Sequence, residues 1–170
     1  MLANILNIYN FAKTEFEYFI TDGFNIRFFN FLNLLNLVNN MTKHKFIAEY
    51  ELRASPKVLF PYISSASGMQ QWFAEKVILK DSTTFDFLWD GESHVAKLSQ
   101  LRLNKSAKFD FVPPNTEEKD HNYLEFKMDV SDLTGSTYLK IVDYSMNTDE
   151  DELTELWGDL IYKLKEIVGS

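Results

Sequence analysis

The sequence predicts an α+β fold: a curved antiparallel sheet of six or seven strands wrapped around one long C-terminal helix, with two short helices after the first strand. Three observations carry this. From Lys45 to Met146 apolar residues recur mostly with period two, the spacing that gathers them on one face of a strand. From Leu153 to Val168 they recur in steps of three and four, the spacing of one helix face. Between the first strand and the rest, "RASPKVLFPYISSASGMQQWFA" (Arg53 to Ala74) has a Ser-Pro start, a Ser-Ala-Ser-Gly interruption and a Trp-Phe pair.

In "KFIAEYELRA", Phe46, Ala48, Tyr50 and Leu52 alternate with polar neighbours and mark a strand with one buried face. Ser55 is the expected cap of the first short helix, with Pro56 at its first position, where a missing N–H costs nothing. Val58, Leu59, Tyr62 and Ile63 form its apolar stripe. Ser64 to Gly68 reads as a break, and Met69, Trp72 and Phe73 as a second short helix ending near Ala74. "EKVILK" and "TTFDFLWDG" follow, with Phe85, Phe87 and Trp89 on one face, Asp86 solvated opposite them, and Asp90-Gly91 as the turn. A long segment runs from Glu92 to Leu103. "SAKFDFV" aligns Ala107, Phe109 and Phe111; "NYLEFKMDV" aligns Leu124, Phe126, Met128 and Val130. A charged loop including Pro113, Pro114 and Asn115 separates these two. "STYLKIVDYSM" is partly apolar on both faces, as expected of a strand deep in a sheet. On its two faces lie Lys140 and Asp143, one of which is a candidate to point inward.

The C-terminal helix is expected from about Asp149 to Val168. Thr148 with Asp151 reads as an acidic capping box, Asp149, Glu150 and Glu152 suit the positive end of the helix dipole, and Gly169 supplies the stop. A meander of antiparallel strands with one apolar face must cover that face, and this helix is the element long enough to do it. The two short helices then close one end of the sheet.

Composition bounds the function. The 170 residues, 45% hydrophobic and 15% aromatic, suit one domain with a substantial core. There is no cysteine, which excludes disulfides and thiolate metal sites, and three scattered histidines do not suggest a metal. The net charge of −8 comes without a Lys/Arg cluster and argues against nucleic acid or an anionic membrane as partner. Residues 1–40 differ in kind, with nine of the asparagines and seven of the phenylalanines. Their apolar run is interrupted and short of the roughly 18 residues of a transmembrane segment, and they lack a signal-peptide pattern. They read as a membrane-surface or partner-binding helix, as a helix docked on the domain, or as an over-long start preceding Met41, the reading the compositional break favours. Residues 41–170 are the expected domain, in a cytoplasmic protein.

"ASPKVLFPYIS…SGMQQWFA", "FLWDGE" and "ELWGDLIYKLKEIVG" resemble the START-like, or Bet v 1-like, superfamily. In particular they resemble a small bacterial group related to the Hsp90-ATPase-activator (Aha1) homology domain. The resemblance covers Lys43 to Gly169 and implies the helix-grip fold. It implies no single activity, because the superfamily spans lipid carriers, receptors, cyclases and co-chaperone domains.

No phosphate loop, nucleophile elbow or metalloprotease motif is present, so the expectation is a non-enzymatic protein without catalytic residues, cofactor or metal. The leading candidate is binding of a small apolar or lipid-like molecule between sheet and helix. Its candidate lining is Trp72, Phe73, Phe85, Phe87, Trp89, Phe109, Phe111, Phe126, Met128, Trp157, Leu160, Ile161 and Leu164; the bland alternative is that these side chains simply fill the core. His94, Tyr138 and Tyr144 are candidate polar handles, and Ser64 to Gly68 is the candidate flexible mouth. The alternative implied by the resemblance is a co-chaperone domain that contacts a chaperone of the Hsp90 type.

Overall fold

A computed structural model describes residues 43–113 and 120–169. The N-terminal extension and most of the charged loop lie outside them. The chain divides after Thr42, and the unit starting at Lys43 carries every element below.

Seven strands form one sheet: β1 (His44–Leu52), β2 (Lys76–Leu79), β3 (Thr84–Trp89), β4 (Glu92–Arg102), β5 (Ser106–Phe111), β6 (Tyr123–Val130) and β7 (Thr137–Ser145). Their order is β1-β7-β6-β5-β4-β3-β2, antiparallel throughout. Strands β2 to β7 are a meander, and β1 adds to its last member. Two strands consecutive in sequence therefore lie at opposite edges. The chain has to cross the sheet between Leu52 and Lys76, and the short helices α1 (Pro56–Ser64) and α2 (Ala66–Met69) make that crossing. α1 runs close to β5 and β6.

Local chemistry accounts for the turns. Asp90 and Gly91 both have positive φ (51° and 76°), as the tight β3–β4 hairpin requires. A register shift between Leu98 and Gln100 marks a bulge in β4, a device that bends a strand. α1 and α2 meet at Gly68, where a Cβ would lie 2.1 Å from the Pro61 carbonyl oxygen, so only glycine permits the approach.

Helix α3 (Glu150–Val168) buries Leu153, Trp157, Ile161 and Leu164 in the core. Gly169, at φ 70°, stops it, with its N–H on the Lys165 carbonyl.

The structure corrects several local expectations. Asp149, not Thr148, caps α3, accepting the Glu152 N–H at 3.0 Å. Ser55 sits at the start of α1 but uses only its backbone carbonyl, which accepts from Val58 and Leu59; its hydroxyl does not cap. The break between the short helices narrows to Ser65. α2 lies upstream of the expected Met69–Ala74 segment, which runs mostly in turns. Asp86 is not solvated: it is 6% exposed, ion-paired to Lys80 at 2.8 Å and bonded by the Ser93 hydroxyl. Val130 and Val58 are half-exposed despite their apolar parity, because each lies near the end of its element.

Candidate ligand-binding site

The inner sheet face and α3 enclose an aromatic cluster. Alternation places Phe85, Phe87 and Trp89 inward on β3, Phe109 and Phe111 on β5, and Phe126 and Met128 on β6. Phe73, in the turn before β2, is the hub. Its ring lies 5.4 Å from Phe87, 5.1 Å from Trp89 and 6.1 Å from Phe126, edge to face, and stacks on Trp157 at 5.9 Å. Trp72 meets Phe126 at 5.8 Å, and Phe109 meets Phe85 at 5.1 Å. Edge-to-face and offset contacts at these distances add to the roughly 1.5–3 kcal/mol that burial of each large side chain contributes.

Each tryptophan in the cluster also satisfies its indole N–H. Trp72 donates to the Tyr62 carbonyl at 2.8 Å, Trp89 to the Phe73 carbonyl at 2.9 Å, and Trp157 to Asp143 Oδ2 at 3.2 Å. These indole N–H bonds pin the rings, and with them α1, the pre-β2 turn and α3.

The expected lining residues all belong to this core, but they differ in accessibility. Trp72, Phe73, Phe85, Phe87, Phe109, Phe126, Met128, Trp157, Ile161 and Leu164 are buried. Trp89, Phe111 and Leu160 are half-buried and packed against it. Trp89 and Phe111, 6.2 Å apart, form a rim at the β3–β4 hairpin end. His94 completes it. It lies on the inner face opposite Phe87 in register, and its ring is 5.0 Å from Trp89. Burial pushes its pKa below the ordinary histidine value, against the smaller upward pulls of Glu92 and Asp86. Among the described residues neither ring nitrogen has a hydrogen-bond partner.

Tyr138 and Tyr144 are not brought to this interior. Inward positions on β7 are Thr137, Leu139, Ile141 and Asp143, so both tyrosines stand on the outer face. Tyr144 there donates to Asp120 Oδ2 at 2.7 Å and stacks on Tyr123 at 5.1 Å. In the segment expected as a flexible mouth, the Ser64 and Ser65 hydroxyls donate to the Phe60 and Pro61 carbonyls, and Ser65 Oγ accepts the Gly68 N–H. Of the pair Lys140 and Asp143, it is Asp143 that faces inward. Its neighbours in register are Phe46 and Leu124, both in the core, and burial raises its pKa against the opposing effects of Ser145, Trp157 and His44.

The model of the START-like superfamily domain matches residues 40–170. Among solved structures, the Bacteroides fragilis protein BfR322 is 34% identical, with a TM-score of 0.50 over 74% of this chain and 90% of that one. The Aha1 dimer from Colwellia psychrerythraea is 15% identical, with a TM-score of 0.60 over 74% of this chain and 96% of that one. DynU16, from the dynemicin biosynthetic locus, is 13% identical, with a TM-score of 0.57 over 74% of this chain and 47% of that one. The two less similar structures bear on the fold alone. No curated protein matches.

Proposed function

The chain belongs to the START-like superfamily, and from that premise we propose that it is a non-enzymatic, cytoplasmic module that binds a small apolar or lipid-like molecule between α3 and the sheet. One observation carries the reading. At the β3–β4 hairpin end the buried ring cluster gives way to half-buried Trp89 and Phe111 beside a histidine whose nitrogens have no partner among the described residues. A neutral imidazole offers one donor and one acceptor, which suits the polar end of a mostly apolar ligand.

The alternative implied by the resemblance is a contact with a chaperone of the Hsp90 type. It rests on similarity in fold to the Colwellia Aha1 dimer, at an identity too low to bring over an interface. Fluorescence of Nile red, followed by displacement with fatty acids, sterols and aromatic compounds, separates the two. Binding is expected in the wild type and its loss in a still-folded Leu160→Trp variant, whose larger ring occupies the space beside the core. If no apolar probe binds at micromolar concentration while an Hsp90-type chaperone co-purifies, the co-chaperone reading replaces this one.

A further inference from the structure

The rim at His94 is one end of the interior. The other end lies where β1 and β6 finish and β7 begins, and it carries an unexplained polar group. Thr137 is 1% exposed, and its hydroxyl oxygen is buried without a hydrogen-bond partner among the described residues. Alternation puts it on the inner face with Leu139 and Ile141. Its neighbours in register are Leu52, fully buried, and Val130, half-exposed. A second hydroxyl stands close by. Tyr50 is on the inner face of β1, opposite Leu139 and therefore diagonal to Thr137, a spacing long side chains can span. Its phenol is partly buried, which raises its pKa, and it has no hydrogen-bond partner among the described residues.

A buried hydroxyl without a partner forfeits its bonds to water and gains nothing in return. Thr137 is in that position; the Tyr50 phenol, diagonal to it on an apolar surface and only partly buried, is a second group that the same ligand atom could bond. The other inner-face side chains of the sheet at this end, Leu52, Met128, Val130 and Leu139, are apolar, so the strands here offer an anion no cation. We propose that Thr137 and Tyr50 form a subsite for an uncharged oxygen, an alcohol, phenol or ketone, at the inner tip of the apolar ligand. This rests on the binding function proposed above and adds the class of ligand.

Displacement of Nile red from the full chain by naphthalene, 2-naphthol and 2-naphthoate tests it. In the wild type 2-naphthol should bind about tenfold more tightly than naphthalene, the value of one good hydrogen bond, and more tightly than 2-naphthoate. Thr137→Val and Tyr50→Phe should each erase most of that preference, whereas Tyr144→Phe, which removes a hydroxyl from the outer face, should keep it. Thr137→Val should also melt no lower than the wild type, because the hydroxyl it removes is unpaired in the free protein. A preference that survives Thr137→Val overturns the subsite, and so does a melting point lowered by several degrees, which would mean a resident water or protein group satisfies the hydroxyl. If naphthalene binds and 2-naphthol is not preferred, the subsite alone falls. If none of the three displaces the dye, the binding function falls and the subsite with it.

Discussion

Trp157 donates its indole N–H to Asp143 Oδ2 at 3.2 Å, joining α3 to β7 through a carboxyl that the core partly buries. The folded protein raises the pKa of this carboxyl, so its ionisation works against folding. That cost is present at neutral pH and vanishes below the ordinary carboxylate pKa of about 3.9, where folded and unfolded chains are both protonated. Asp143→Asn keeps an acceptor for Trp157 and removes the charge. Its melting temperature should exceed that of the wild type at pH 7, with the gap closing toward pH 3.5. A variant that melts lower at pH 7 would show the charge to be stabilising.

Trp157 also stacks on Phe73 and is 2% exposed. Replacement by alanine should cost about 3–5 kcal/mol in urea denaturation, because the rings around it cannot close the gap. A cost below about 1 kcal/mol would mean that the ring contributes little to the core.

Gly68→Ala tests the joint between the short helices. The atom that a new Cβ would meet at 2.1 Å is backbone, held within α1, and cannot swing aside. A loss of about 1–3 kcal/mol is expected, comparable with overpacking a core. An unchanged denaturation midpoint would show that α1 and α2 can separate freely.

Much of the fold is legible in the sequence because a sheet with one buried face imposes strict alternation. Phe85, Phe87 and Trp89, or Ala107, Phe109 and Phe111, can be assigned to the core by parity alone. Parity fails where both faces are crowded. On β7 the outer Val142 is as buried as the inner residues, so apolar character does not tell the faces apart, and Tyr138 and Tyr144 could not be assigned without Leu139 and Ile141 as reference. Asp86 shows a second limit. Its outward position is readable, but its burial depends on Lys80 and Ser93, which come from other segments. Caps are a third: Thr148 and Asp149 are both good capping residues, and only the chain's exit from β7 decides between them. At the candidate site the lining could be read but its accessibility could not. Which rings are sealed and which form a rim depends on how Phe73 inserts among Phe87, Trp89 and Trp157, a contact between segments far apart in sequence.

A chain starting at Met41 should melt at the same temperature as the full-length protein. The seven strands and three helices from His44 onward form a closed set of pairings, with β1 and β2 as the sheet's two edges. Thermal melts of the two proteins compare them directly. A drop of several degrees would mean that residues 1–40 stabilise the domain.

His94 gives the last prediction, a pH dependence with a definite sign. Burial beside Trp89 favours the neutral imidazole, so the folded pKa lies below the unfolded value of about 6.5. The unfolded chain therefore binds this proton more readily, and its uptake draws the equilibrium toward unfolding. The neutral imidazole costs nothing above pH 6.5; below it stability falls, until the folded state is protonated as well. Glu92 and Asp86 oppose the shift but do not reverse it. Between pH 7.5 and 5.5 the wild type should lose more stability than His94→Phe, which has no proton to bind at that position. His44 and His121 occur in both proteins and cancel in the comparison. Parallel pH profiles for the two proteins would mean that the imidazole is as well solvated folded as unfolded, and His94 would then no longer qualify as part of a desolvated rim.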